Sequence, residues 1–297
     1  MYSIEHTDGG NIAHKNDNDY YSSLITYYHA KTDAILDRYG PGPRVHYHTG
    51  LTDDPPPADG SSVNLKRLLV AAQERLLSYG ADLWGASATL SNEILDVGCG
   101  LGGGSIFWAQ EFGAKVTAVT CVPSHIEWIS RFANEAGVRS RVLPFLCDAL
   151  EVPGENCFDS AVAVDSSGYF LRKPWFTRTS ALLRPGGNVF VVDCFLGHPR
   201  YEAPFNSYWH SRIGSIDEYV SAARAAGLAL VSINDISPRT TNFWATTIAL
   251  MEAEARERIT TQAENERRQA SIDAHALIRR GLADQGLRYA LLSFRKV

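Results

Sequence analysis

The stretch ILDVGCGLGGGSIFWA, residues 94–109, carries the most specific chemistry in the chain. An apolar run ends in Asp96, and Gly98, Gly100, Gly102, Gly103 and Gly104 follow before a helical pattern begins. Glycines at that density allow a tight turn whose backbone approaches a ligand closely at a helix N-terminus. A dinucleotide would use such a turn, and would want an Asp or Glu about 20 residues on to bind a ribose. Here the next apolar run ends at Thr120, which is not an acid. A second carboxylate, Asp165, closes the run FDSAVAVD and is followed by Ser166, Ser167 and Tyr169. It either faces a pocket or caps the next helix. His46 and His48 alternate in YGPGPRVHYHTG and form, with Arg44, a small cationic or hydrogen-bonding cluster. That cluster suits a diphosphate with Mg²⁺ bridging its oxygens, while the alternation also suits a short strand with one wet face.

These residues need a scaffold. From Glu93 onward, short β-branched runs alternate with helix-length segments, the pattern of an α/β unit with a parallel sheet. Strands are expected at 94–97, 115–120, 141–147, 158–164, 188–194, 228–236 and 288–296. Pro123 suits the first turn of a helix that stops at Gly137, and Ser215 with Glu218 forms a capping box for one that stops at Gly227. Residues 1–18 are polar and read as a mobile arm. Residues 19–90 hold two helical patterns, separated by a proline-rich loop. Residues 91–297 form the α/β domain, with an insertion at 239–286 whose Trp244, Ile248, Met251, Ala255 and Ile259 repeat at steps of three or four. Its mixed charges balance at close range and read as a solvated helix face.

The string D-V-G-C-G-x-G-G resembles the first motif of class I S-adenosylmethionine-dependent methyltransferases. The order of later features is similar to that family too: Thr120 ending the second strand, Asp148 after the third, FDSAVAVD as the fourth, LLRPGGNVFVVD leading into the fifth, and RYALLSFRKV as a last strand. The resemblance implies a Rossmann-like seven-stranded sheet, an antiparallel final strand, and S-adenosyl-L-methionine as cofactor. Asp96 or the backbone beside it would hold the cofactor's ammonium, Gly98, Gly100 and Gly102 would admit its methionyl part, and Asp148 would accept from the adenine amino group. His125, one turn into the helix after Thr120, would reach the ribose or else sit on the surface.

Finer fragments are similar to sterol C-methyltransferases and, more closely, to the geranyl diphosphate 2-C-methyltransferase branch of terpenoid enzymes. They are the paired tyrosines Tyr20 and Tyr21, the loop YGPGPRVHYHTG, GCGLGGGS, VTAVTCVPSH, DSSGYF and DISPRTTNFW. Cofactor contacts are accordingly expected at Tyr20, Tyr21, Thr120 and Asp165 as well. Where that branch carries a Glu after the fourth strand, this chain has Asp165, one methylene shorter. The resemblance implies that this carboxylate faces the acceptor and takes a proton from, or stabilises, a methylated cation. Tyr169, a water or the substrate's own anionic group are the alternative bases. The many aromatic residues outside the cofactor motifs would attract a carbocation or simply fill the core.

The expected function is C-methylation of a prenyl alkene, on a prenyl diphosphate or a prenylated natural product, with cyclisation a further option. The alternative is N- or O-methylation of an aromatic natural product, with His46 or His48 as base. Composition excludes other classes. The 297 residues carry 28 Lys and Arg against 33 Asp and Glu, a net charge of −5, which lacks the basic excess of a nucleic-acid binder. No apolar run reaches the ~18 residues of a membrane span, and MYSIEHTDGG has no signal core. A cytoplasmic location is expected. The five cysteines include no C-x-x-C pair, so neither a disulfide framework nor a structural zinc site is expected. The aromatic N-terminal helix suggests a homo-oligomer.

Overall fold

The computed structural model describes the backbone of residues 9–58, 60–257, 259 and 261–297, with side chains from Asp19 onward. The chain opens with α1 (Gly9–Tyr39), α2 (Ser62–Trp84) and the short α3 (Ala86–Thr89). Then come β1 (Glu93–Val97), α4 (Gly103–Phe112), β2 (Lys115–Thr120), α5 (His125–Glu135), β3 (Val142–Leu146) and β4 (Phe158–Val164). They are followed by α6 (Arg172–Leu182), β5 (Leu183–Leu196), α7 (Glu202–Trp209), α8 (Ile216–Ala225) and β6 (Leu228–Asp235). The chain ends with α9 (Ser237–Glu257), α10 (Gln262–Ala283) and β7 (Leu287–Lys296). Because α1 begins at Gly9, it takes in the second half of the stretch read as an arm; residues 1–8 lie outside the described residues.

The seven strands form one sheet in the order β3-β2-β1-β4-β5-β7-β6, parallel except where β7 runs antiparallel to β5 and β6. This is the class I methyltransferase fold. Alternation along each buried strand feeds two cores. Ile94, Val116, Phe190 and Leu291 face α2, α4 and α9, while Leu95, Ala161, Val191 and Phe294 face α6 and α8. The strand order reverses between β1 and β4, which places the ligand crevice beyond their carboxyl ends. The glycine turn follows β1 and Asp165 follows β4, so register alone brings them together.

Two local features depart from expectation. The segment Arg184–Pro185–Gly186–Gly187, which precedes the strand expected at 188–194, lies inside β5, which starts at Leu183 opposite Phe158 and is irregular there. Gly186 at φ +75° turns the chain, and a Cβ on Gly187 would lie 3.0 Å from the Asp159 carbonyl oxygen. The proline-rich loop is pinned over the site. The Leu51 N–H donates to the Ala72 carbonyl at 2.8 Å, Gln73 Nε2 donates to the His48 carbonyl at 2.8 Å, and Thr52 N–H to the Arg239 carbonyl at 2.9 Å. These bonds arise from the register of α2 and α9 against the loop, which local patterning does not carry.

Trp84 ties α2 to the sheet by stacking on Phe190, with ring centroids 4.6 Å apart and planes 19° from parallel. Trp84→Ala is expected to lower the unfolding free energy by about 3–5 kcal/mol in urea titrations. Ser215→Ala, which breaks the observed capping box of α8, should cost only about 1 kcal/mol. Equal losses would contradict this assignment of the core.

Candidate active site

At the crevice, Gly98, Gly100 and Gly102 of the glycine turn adopt left-handed backbone, at φ +73°, +56° and +86°. A Cβ on Gly98 would lie 2.5 Å from that of Ser166, so only glycine lets β1 and β4 close here. A Cβ on Gly100 would meet nothing within 4 Å and so would project into the cleft that this residue lines. The cleft has a volume of about 120 Å³ and is lined on the sheet side by Asp96, the glycine turn, Thr120, Cys121 and His125. Asp96 is buried and accepts from Ser105 Oγ at 2.5 Å; burial raises its carboxyl to about 6, against the lowering effect of Ser105.

The loop and α1 close the cleft from above. His46 Nε2 lies 2.8 Å from Glu74 Oε1, and its buried Nδ1 has no hydrogen-bond partner among the described residues. Thr32 of α1 donates to the Tyr28 carbonyl, so His125 Nε2, 3.2 Å away, donates to Thr32 Oγ1. Burial then pulls His125 down to about 4 and keeps it neutral.

A larger cavity of about 250 Å³ lies on the other side of a shared wall made by Tyr28, Tyr47, His48, Asp165 and Tyr169. Asp165 adopts φ +47°, a region Asp tolerates better than most residues. Its N–H donates to the Val192 carbonyl at 2.8 Å, and its carboxylate accepts from Thr49 N–H at 2.6 Å and Tyr289 O–H at 2.7 Å. It therefore caps no helix. Burial, then the neighbouring Asp193, raises Asp165 to about 7. Asp193 also lines the large cavity and accepts from Ser167 Oγ, Gly168 N–H and Cys194 N–H. Burial likewise raises it. The Tyr28 and Tyr169 hydroxyls are 2.6 Å apart. His48 Nδ1 donates to the Thr49 carbonyl at 2.7 Å, so its buried Nε2 keeps a lone pair with no partner. Burial, followed by His46, pulls His48 down to about 3.

Tyr39, Phe205, Tyr208, Trp209, Phe243 and Trp244 line the rest of the large cavity, together with His275 and Ile278 of α10. The N-terminal helix and the late insertion thus both wall it. Other aromatics singled out by sequence lie elsewhere: Trp175 and Phe195 are in the core below the sheet, and Tyr201 bonds Asp284.

The expected site residues divide accordingly. Asp96, Gly98, Gly100, Thr120, His125, His46, His48, Asp165 and Tyr169 all line the small cleft. Gly102 packs behind it, where a Cβ would lie 3.0 Å from Ile129. Asp148 is half-buried beside Cys121, with one oxygen accepting from Leu150 N–H at 2.8 Å, and is outside the lining. Tyr20 and Tyr21 are also outside it; Tyr20 donates to the His210 carbonyl and stacks with Arg212. Arg44 bonds Glu74, Gln110 and Glu111, so Arg44 and His46 present no cationic cluster to the large cavity. Lys31, Arg38 and Asp193 escaped the sequence reading. The spacing 28, 31, 35, 38 along α1 is the signal that marks its cavity face.

The family pattern described as a methyltransferase domain matches residues 94–187. Geranyl diphosphate 2-C-methyltransferase of Streptomyces lasalocidi is 30% identical over 217 residues, which is 67% of this chain and 69% of the relative. O-methyltransferase cnsE of Penicillium expansum is 25% identical over 215 residues, 70% of this chain and 73% of the relative. A solved geranyl diphosphate methyltransferase in complex with GPP and sinefungin shares the fold, with a TM-score of 0.78 at 22% identity over 94% of this chain and 100% of that one. The chain belongs to the class I S-adenosylmethionine-dependent methyltransferases. Among them it resembles the geranyl diphosphate C-methyltransferases.

The cleft fits S-adenosylmethionine. It offers a glycine cradle open at Gly100, a buried carboxylate at Asp96, and acceptor nitrogens on the surrounding histidines. Gly100→Val should reduce affinity for S-adenosylhomocysteine by at least about a hundredfold in calorimetry, because its side chain projects into the cleft. The left-handed backbone adds a stability loss of only about 1–2 kcal/mol. Unchanged affinity would show that the cofactor lies elsewhere.

Proposed function

We propose that this enzyme transfers the methyl group to an alkene carbon of a prenyl chain carried by a small hydrophobic acceptor. The observation that supports this reading is the shared wall: three tyrosines, one neutral histidine and one carboxylate separate the cofactor cleft from an aromatic chamber. S-adenosylmethionine, when bound, supplies an electrophilic methyl group. An alkene needs no base to attack it. The π electrons would form the new carbon–carbon bond as the methyl–sulfur bond breaks with its electron pair left on sulfur, and a tertiary cation would remain on the adjacent carbon. Tyr28, Tyr47 and Tyr169 offer ring faces to that cation, each worth roughly 0.5–2 kcal/mol, and do not trap it as readily as water would.

The cation then loses a proton from a neighbouring carbon, whose C–H electrons restore a double bond. Asp165 is the residue we assign to accept it. Its raised pKa, about 7, makes it a stronger base than an exposed carboxylate. The hydrogen bonds that Thr49 N–H and the Tyr289 hydroxyl donate to it hold it in place. Since the base form is the carboxylate, the rate should fall as pH drops below about 7. Asp165→Asn keeps the left-handed backbone accessible; it should slow turnover by about a hundredfold or more, remove the acid limb of the pH profile, and leave S-adenosylhomocysteine affinity within a fewfold. Full activity with an unaltered pH profile would remove Asp165 from the reaction.

One observation favours a second reading, O- or N-methylation of an aromatic natural product. His48 Nε2 is a buried, unpartnered acceptor in the same wall, placed to take a hydrogen bond from an acceptor's hydroxyl or amine. Reaction with ¹³C-methyl-labelled cofactor, followed by carbon NMR of the product, separates the two. A methyl bonded to carbon supports prenyl methylation, and one bonded to oxygen or nitrogen supports the His48 route.

A further inference from the structure

We infer that the methyl acceptor carries one carboxylate group, held by Lys31 and Arg38 at the α1 side of the large cavity. The inference rests on the reading of that cavity as the acceptor site. Lys31 and Arg38 stand seven residues apart on the face of α1 that also presents Tyr28 and Ile35. The Lys31 ammonium lies over the rings of Tyr27, Tyr208 and Trp209, 4.3, 5.5 and 5.8 Å from their centroids. Its hydrogen bond goes to the neutral Tyr27 hydroxyl, and no carboxylate pairs with it among the described residues. Arg38 pairs with Glu254 at 3.5 Å, and Lys66, which also reaches Glu254 at 3.4 Å, has a carboxylate of its own in Asp37 at 3.6 Å.

Burying a cation without a counter-charge is costly, and ring faces offset only part of that cost. The groups opposite give no relief. His275 of α10 donates from Nδ1 to the Ser271 carbonyl, and burial pulls it down to about 4, so it stays neutral. Asp165 and Asp193 sit at the sheet end and are bonded to Thr49, Tyr289, Ser167, Gly168 and Cys194 rather than to a cation. The cavity is therefore basic at α1, aromatic along its length and acidic at the sheet. Burial and Arg38 lower Lys31 only to about 8, so it remains mostly charged at neutral pH. The uncompensated charge is that of Lys31, which one carboxylate balances, with the Glu254-paired Arg38 on the same face to donate a hydrogen bond to it. A diphosphate would instead leave excess negative charge in a chamber that already holds two acids.

The test is calorimetry on the full chain saturated with S-adenosylhomocysteine, using geranic acid, geraniol and geranyl diphosphate, with cinnamic acid and cinnamyl alcohol as a second pair. Each acid should bind about tenfold or more tighter than its alcohol. Lys31→Met should erase that preference without changing affinity for S-adenosylhomocysteine, which also shows that the variant is folded. Preference in the cinnamyl pair alone would support the carboxylate subsite and count against the prenyl reading. Equal binding of acid and alcohol in both pairs, no binding of either acid, tighter binding of geranyl diphosphate than of both acids, or a preference that survives Lys31→Met would overturn the inference.

Discussion

The carboxylate of Asp165 is the point at which otherwise separate parts of the chain are held in register. It emerges from β4 in a left-handed conformation, fixed by the bond from its own N–H to Val192 on β5. One oxygen takes the Tyr289 hydroxyl from β7 and the other takes the Thr49 N–H from the proline-rich loop. The sheet and the N-terminal cover are thereby tied at one buried acid. Such a group is costly unless every lone pair finds use, and strained backbone persists where the surroundings over-determine it. Its position at the switch point, between two cavities, makes that cost intelligible as part of a reaction site.

The cover follows from the same constraint. Thr49 reaches Asp165 only because the loop from Val45 to Thr52 is stitched to α2 and α9, and because Gly103 leaves room for the Val45 carbonyl, which a Cβ would approach to 2.4 Å. His46 and His48, on either side of Tyr47, are held in place by Glu74 and by the Thr49 carbonyl, and burial keeps His48 neutral. The result is a chamber walled largely by rings, with its charged groups gathered at the α1 end and at the sheet. That is the environment a sulfonium methyl donor and a carbon nucleophile require: exclusion of competing nucleophiles and a fixed approach.

Much of this was legible in the sequence because it is local. The strand runs, the glycine turn, the Ser215 capping box and the helical insertion each carry a periodicity or spacing within a few residues. The strands begin and end within one or two residues of expectation except at β5, where a proline and two glycines form an irregularity inside a strand. The linkage of Asp165 to residues 49 and 289 spans more than a hundred positions in each direction, and no local pattern encodes it. Lys31 and Arg38 were hidden for a related reason. Charged residues on an amphipathic helix read as solvent-facing until α7 and α10 are seen to cover them. Arg44 shows the converse: a cation beside two histidines reads as an anion site, yet Glu74 and Glu111 come from α2 and α4 to occupy it.

A crystal structure of the complex with S-adenosylhomocysteine tests the central claim most directly. The account predicts the amino-acid end of the ligand at the Gly98–Gly104 turn and its sulfur directed at the wall of Tyr28, His48, Asp165 and Tyr169, with Asp165 still bonded to Thr49 and Tyr289. A sulfur directed away from that wall, or an Asp165 swung out of both cavities, would contradict it.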